Sequence, residues 1–278
     1  MTRIVNNCVA LVCLCLFWGQ SLRAADASHS EQIKWGNESV FNEEHNTLGL
    51  FSGVLGGQIV LAGGTSDDYS RWGRNAVCLS ENAGFALYED VLSKPLAYGA
   101  SITLSDGILC IGGRYSSQCY KDVFFVTMQQ GKLNVSEDWP PLPFPLSNAA
   151  GALLDNKVYL FGGRKSVSPS RLSDSFFVLD LSNKSRGWKE LPGYPGCVRE
   201  DAILVVQNNG VSPCLYLLGG QTETEEGLSS CLTDGYVYNP QLGKWSSLGS
   251  DFPKGICAAV ASGANHILLF QKEPEDTQ

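Results

Sequence analysis

Histidine is almost missing from this chain. Among 278 residues there are three, His29, His45 and His266. So few imidazoles at such spacing exclude a histidine-built zinc or copper centre and a Ser-His-Asp triad. No CxxC pair occurs, which removes a thiolate zinc site and a thioredoxin-like motif. A GxSxG elbow and a phosphate-cradling Gly-Lys loop are lacking too. The expectation is therefore no metal and no cofactor. Lysine and arginine form no run in a chain of net charge −8, which argues against nucleic acid or an anionic membrane as partner. Past the N-terminus, no apolar stretch approaches the ~20 residues that span a bilayer.

The N-terminus is the exception. "MTRIVNNCVALVCLCLFWGQSLRAADA" sets Arg3 before an apolar run from Cys8 to Phe17, then small residues. That is the order of a secretory signal peptide over residues 1–25, with cleavage near Ala24 to Ala27 and an uncleaved anchor as the alternative. The expected location is secreted and extracellular, or periplasmic in a bacterium, with no membrane span after cleavage. Ten cysteines then reduce to seven: Cys78, Cys110, Cys119, Cys197, Cys214, Cys231 and Cys257. An odd number leaves at least one thiol free or paired between chains. Sequons at Asn37, Asn134 and Asn183 belong on the surface if the host glycosylates.

What is present in abundance is a repeat. "GQIVLAGG", "GILCIGG", "NKVYLFGG" and "CLYLLGG" end at Gly64, Gly113, Gly163 and Gly220, a spacing of roughly 50 residues. A degenerate fifth copy, "HILLFQK" near residues 267–272, has Gln271 and Lys272 where glycines stand elsewhere. After each Gly-Gly come a polar loop, a second apolar run opening at Asp122, Asp174 or Asp234, a tryptophan (Trp139, Trp188, Trp245) and a proline-marked turn. The first unit is looser, with Phe85 in the tryptophan position. Short β-rich runs between Gly and Pro turns, with no helical period, predict one four-stranded antiparallel sheet per repeat. The fold class is all-β, a kelch-type β-propeller over residues 32–278.

In kelch folds generally, the loop after Gly-Gly and the segment leading into each innermost strand face the channel mouth. Here those positions hold Thr65, Arg114, Arg164 and Gln221, and then Tyr98, Asn148, Arg199 with Glu200, and Ile256 with Cys257. Three arginines at one mouth suit an anionic ligand, because guanidinium grips a carboxylate bidentately. Arg114 and Arg164 have an alternative role, bracing loops against Asp122 or Asp174. Arg71, Trp72 and Arg74, in the long loop "TSDDYSRWGRN", form a lid, a second basic-aromatic contact or a solvated loop. Glu200 is the carboxylate nominated for proton transfer, with a surface charge as its plainer reading.

Several phrases carry a closer likeness: "LFSGVLGGQIVLAGG", "KPLAYGASITLSDGILCIGG", "KDVFFVTMQQGKL", "LPFPLSNAAGALLDNKVYLFGG" and "LDLSNKSRGWKELPGYPG". Over residues 34 to 270 the chain resembles the N-acetylneuraminate epimerase (sialic-acid mutarotase) family, in its cyclically permuted kelch-repeat branch. The resemblance implies a six-bladed propeller that interconverts α and β anomers of sialic acid by general acid/base ring opening. It implies arginines on the sugar carboxylate. Nothing here matches the family's Gly-Glu…Pro-Gly-x-Arg stretch, so the resemblance assigns no catalytic residue. The chain covers about five blades and reads as incomplete at its C-terminus, with the last blade missing and activity in question. "QIKWGNESVF" is expected to supply outer strands to a final blade, or a protein partner to cover the open edge. The alternative function is a non-catalytic propeller binding a glycan or an acidic protein; an adhesion-type ectodomain is the third reading.

Overall fold

The computed structural model describes residues 48–80 and 84–271. The expected signal peptide, "QIKWGNESVF", the Asn37 sequon and the final "KEPEDTQ" lie outside the described residues.

Strands follow the repeat. The first blade is β1 (Phe51–Leu55), β2 (Gln58–Ala62), β3 (Ala76–Ser80) and β4 (Gly84–Tyr88). The second is β5 (Ala100–Thr103), β6 (Ile108–Ile111), a small hairpin β7 (Arg114–Tyr115) and β8 (Gln118–Cys119), then β9 (Val123–Gln129) and β10 (Lys132–Ser136). The third repeats this order as β11 (Ala150–Leu154), β12 (Lys157–Phe161), hairpin β13 (Arg164–Ser166) and β14 (Arg171–Leu172), β15 (Phe176–Asp180) and β16 (Lys189–Glu190). The fourth comprises β17 (Ile203–Asn208), β18 (Pro213–Leu218), hairpin β19 (Gln221–Glu223) and β20 (Ser229–Cys231), β21 (Gly235–Asn239) and β22 (Lys244–Gly249). The degenerate copy forms a two-stranded hairpin, β23 (Ile256–Ser262) and β24 (His266–Gln271). The described residues thus make a kelch-type propeller of four four-stranded antiparallel blades and one hairpin. They contain no α-helix, only the 3-10 segment Leu181–Arg186. No helix among them is long and apolar enough to cross a membrane.

The Gly-Gly pairs sit where blades meet. At Gly112 (φ +63) a side chain would strike the carbonyl oxygen of Leu146, in the segment leading into the third blade, at 2.2 Å. Gly63 and Gly162 face Leu96 O and Arg199 O in the same way, at 2.3 and 2.6 Å. In these three pairs the second glycine then donates its N–H across the junction: Gly64 to Leu96 O, Gly113 to Leu146 O, Gly163 to Arg199 O. Only a residue without Cβ allows both the left-handed turn and this approach. At Gly219 the nearest obstacle is Leu232 O at 3.4 Å, so the junction toward the hairpin is looser.

Apolar layers fill the spaces between blades. Phe51, Val60 and Cys78 meet Ile108, Cys110 and Phe124 between the first and second. Ile102, Leu109 and Phe125 meet Val158, Leu160 and Phe177 between the second and third, with Trp139 and Trp188 at the edge. Phe161, Phe176 and Tyr194 meet Leu215, Tyr236 and Tyr238 between the third and fourth. Trp245 packs onto four of those rings, 5.0 Å from Phe176 and 5.1 Å from Tyr238. Phe85, in the corresponding position of the first blade, is half exposed.

All seven described cysteines are free thiols. Four of them, Cys78, Cys110, Cys119 and Cys214, are buried. Burial alone pushes the Cys78 thiol up to about 11, so it behaves as a small hydrophobe.

Candidate functional site

Bridges Leu48–Thr65, Ala97–Arg114, Ser147–Arg164 and Glu200–Gln221 tie each post-glycine residue to the segment leading into the same blade's inner strand. Both sets therefore sit at one end of the propeller. The residue after each bridge is left-handed: Gly49 (φ 64), Tyr98 (φ 60), Asn148 (φ 56) and Asp201 (φ 51). These residues form a chain of backbone hydrogen bonds around the mouth. Tyr98 N donates to Gly49 O at 2.7 Å, Asn148 N to Tyr98 O at 2.7 Å, and Asp201 N to Asn148 O at 3.0 Å. Their side chains stand on adjacent blades, and Asn148 Nδ2 donates to Asp201 Oδ1 at 2.9 Å.

Asp201 is the group that reading the sequence missed. Its side chain reaches solvent, and neighbouring protein partly desolvates it. That desolvation raises the carboxyl from 3.8 to about 6. The Asn148 hydrogen bond opposes the shift, the Glu200 charge adds to it, and Arg164 and Arg114 oppose it.

The three nominated arginines divide sharply. Arg114 holds its guanidinium 4.5 Å over the Tyr98 ring, 5.2 Å from Trp72 and 5.5 Å from Tyr69. Trp72 meets Tyr115 edge-on at 5.6 Å. Arg114 Nη1 donates to Ser116 O at 2.7 Å, and no carboxylate among the described residues forms a salt bridge with it. Aromatic faces hold the plane of the guanidinium while its edge keeps donors for a planar anion. Burial first, then the Tyr69 hydroxyl, moves the Tyr98 phenol upward, so it stays protonated at neutral pH.

Arg164 is engaged already. Its Nε donates to Glu200 Oε2 at 2.8 Å, and its Nη2 bonds Glu200 Oε1 as well as Glu223 Oε1 at 2.9 Å. Ser170 Oγ completes the knot, 2.6 Å from Glu223 Oε1. Glu200, the nominated proton-transfer group, thus has both oxygens hydrogen-bonded to one arginine. Asp174 does not brace Arg164, and Asp122 pairs with Lys94 at 2.6 Å in place of Arg114.

Arg199 is not at the mouth. It is fully buried, 0% exposed, and turns into the junction between the third and fourth blades. There it donates to Asp234 Oδ1 and Oδ2 at 2.7 and 2.8 Å, to Tyr194 Oη at 2.8 Å and to Gly219 O at 2.8 Å. Burial works against its charge, but Asp234 and Tyr194 outweigh it and the arginine stays charged.

The long loop after Thr65 is built rather than loose. Asp68 Oδ1 accepts from Ser66 Oγ, Ser70 N and Ser70 Oγ at 2.6, 3.0 and 2.8 Å, which lowers its carboxyl to about 2. Trp72 Nε1 donates to Tyr69 O, and Arg74 pairs with Asp90. The loop thereby delivers Tyr69 (49% exposed) and Trp72 to Arg114, with Tyr115 (44% exposed) beside them. No cluster of three potential metal ligands occurs among the described residues.

Comparisons with known proteins place this site in context. Residues 139–272 match the family model of N-acetylneuraminate epimerase. An N-acetylneuraminate epimerase of Yersinia pestis (strain Pestoides F) is 30% identical over 139 residues, 48% of this chain and 33% of that protein. One of Haemophilus influenzae (strain PittEE) is 31% identical over 131 residues, 47% of this chain and 32% of that protein. The chain spans about a third of the length of the curated relatives it matches. The solved structure of YjhT superposes with a TM-score of 0.60 over 82% of each chain at 14% identity, a likeness of fold. The family match contains Asn148, Arg164, Glu200 and Asp201; Tyr98 and Arg114 lie before it.

Proposed function

We propose that this chain is a member of the N-acetylneuraminate epimerase family, in the cyclically permuted branch, and acts as a secreted sialic-acid mutarotase. The observation that carries the reading is Arg114, ringed by Tyr98, Tyr69 and Trp72 and free of any carboxylate partner among the described residues. A sugar acid bound there would set its carboxylate on the guanidinium edge and an apolar ring face on the aromatics. Tyr98 and Asn148 offer a phenol and an amide for ring hydroxyls. Mutarotation needs no cofactor: the pyranose opens at the anomeric carbon and closes on the other face. The family match and the similar relatives favour sialic acid over other sugar acids.

A second reading draws on the same rim. Tyr69 and Tyr115 are half exposed beside Arg114, as a lectin-like platform for a glycan or an acidic protein would be. The test is proton NMR of α-N-acetylneuraminate with the purified chain. Faster conversion to the β form supports the mutarotase. Binding without faster conversion leaves the lectin-like reading.

A further inference from the structure

We infer that Asp201 is the catalytic carboxyl of this mouth, taking and returning the anomeric proton of the bound sugar acid; this rests on the mutarotase reading above. The first support is positional. The mouth chain demands a left-handed residue from each blade, and glycine meets that demand without strain, as Gly49 does. At the next three positions stand Tyr98, Asn148 and Asp201, with φ between 51 and 60. Left-handed backbone is costly for residues with Cβ, and such strain collects at functional sites. Here it sets a phenol, an amide and a carboxyl side by side.

The second support is the state of the carboxyl. Asn148 fixes Oδ1, whereas Oδ2 accepts no hydrogen bond among the described residues. Both oxygens of adjacent Glu200 are held by Arg164. The charged and titratable groups that face Asp201 are Glu200 on its own segment, Arg164 after β12, and Arg114 and Tyr98 from the second blade. Of these, Arg114 is the one left to hold the ligand's charge.

Asp201 carboxylate removes the proton of the anomeric hydroxyl; the O–H pair becomes the C=O bond as the bond from anomeric carbon to ring oxygen breaks. The ring oxygen keeps that electron pair and takes a proton from a water molecule. After rotation of the open-chain ketone, the ring hydroxyl attacks the other face of the carbonyl. Its proton returns to solvent, and Asp201 gives its proton back to the anomeric oxygen. No net proton is gained or lost.

The experiment compares the full chain with Asp201→Asn. Asparagine tolerates the left-handed backbone and keeps an oxygen for Asn148, so the mouth chain is preserved. The exchange rate of α-N-acetylneuraminate is followed by NMR across pH, with affinity measured by titration of the sugar. The expected result is a ~10²-fold or greater loss of kcat with affinity retained, together with loss of the wild-type acid limb. A folded variant with wild-type kcat overturns the role of Asp201 and leaves the mutarotase reading standing. A folded wild-type chain that gives no acceleration overturns both. Should Asp201→Asn fail to fold, Asn148→Gly decides: removing the amide donor is expected to move the acid limb to higher pH, and an unmoved limb overturns the inference.

Discussion

Asn148 Nδ2 donates to Asp201 Oδ1 at 2.9 Å, so an amide of the third blade fixes a carboxyl of the fourth. The contact spans a blade boundary, and the same two residues are joined by a backbone bond, Asp201 N to Asn148 O at 3.0 Å. A rigid pair of this kind holds a titrating group in place while leaving one oxygen for chemistry. It also has a cost in stability.

Asp201 has a folded-state carboxyl raised from 3.8 to about 6. A raised acid contributes stability that is complete below 3.8 and is lost as pH rises through about 6. Asp201→Asn is therefore expected to melt higher than wild type at pH 7.5, with the gap closing at pH 4. Thermal midpoints at the two pH values check this; a gap independent of pH contradicts it.

Arg199 is expected to behave as a structural brace. Arg199→Ala leaves Asp234 without its bidentate partner and opens a void at the blade junction. A loss of about 3–5 kcal/mol is expected for breaking a buried pair, read by urea unfolding. Affinity for the sugar acid in the fraction still folded is expected to stay within about twofold, since a change of 0.4 kcal/mol is of that order.

Gly112→Ala and Gly219→Ala separate steric approach from backbone strain. Both positions are left-handed, at φ +63 and +55, so alanine costs roughly 1–2 kcal/mol at each. At Gly112 the new methyl also meets Leu146 O at 2.2 Å, whereas at Gly219 the nearest atom is 3.4 Å away. The first variant is expected to be the less stable in denaturant melts.

Arg114→Lys keeps the charge and loses the planar fork. Affinity for N-acetylneuraminate is expected to fall roughly tenfold, equivalent to ~1.4 kcal/mol, and Arg164→Lys to fall less because Arg164 faces Glu200 and Glu223. Titration by NMR or calorimetry ranks the two.

The propeller was legible because its signals are local and repeated. Gly-Gly, the third-strand aspartate and the tryptophan recur in phase, and each serves a backbone or packing need that the next blade repeats. The site was legible only where it kept that phase. Tyr98 and Asn148 stand at the mouth because each lies just before an inner strand, and the same offset, counted back from Ala202 as from Gly99 and Ala149, points to Asp201. The longer fourth repeat hid it and drew attention to Glu200. Arg199 and Arg164 looked available because their carboxylate partners Asp234 and Glu223 lie 35 and 59 residues away in sequence. The rings around Arg114 come largely from the loop of the preceding blade, a contact that periodicity does not report.

The most direct test of the central claim, that this mouth catalyses anomer exchange, is the initial rate at which α-N-acetylneuraminate, released by a sialidase, becomes the β form at pH 7.5. The expected result is conversion faster than the protein-free control, in proportion to the amount of folded chain. Conversion at the control rate, with the chain shown to be folded and the sugar shown to bind, would contradict it.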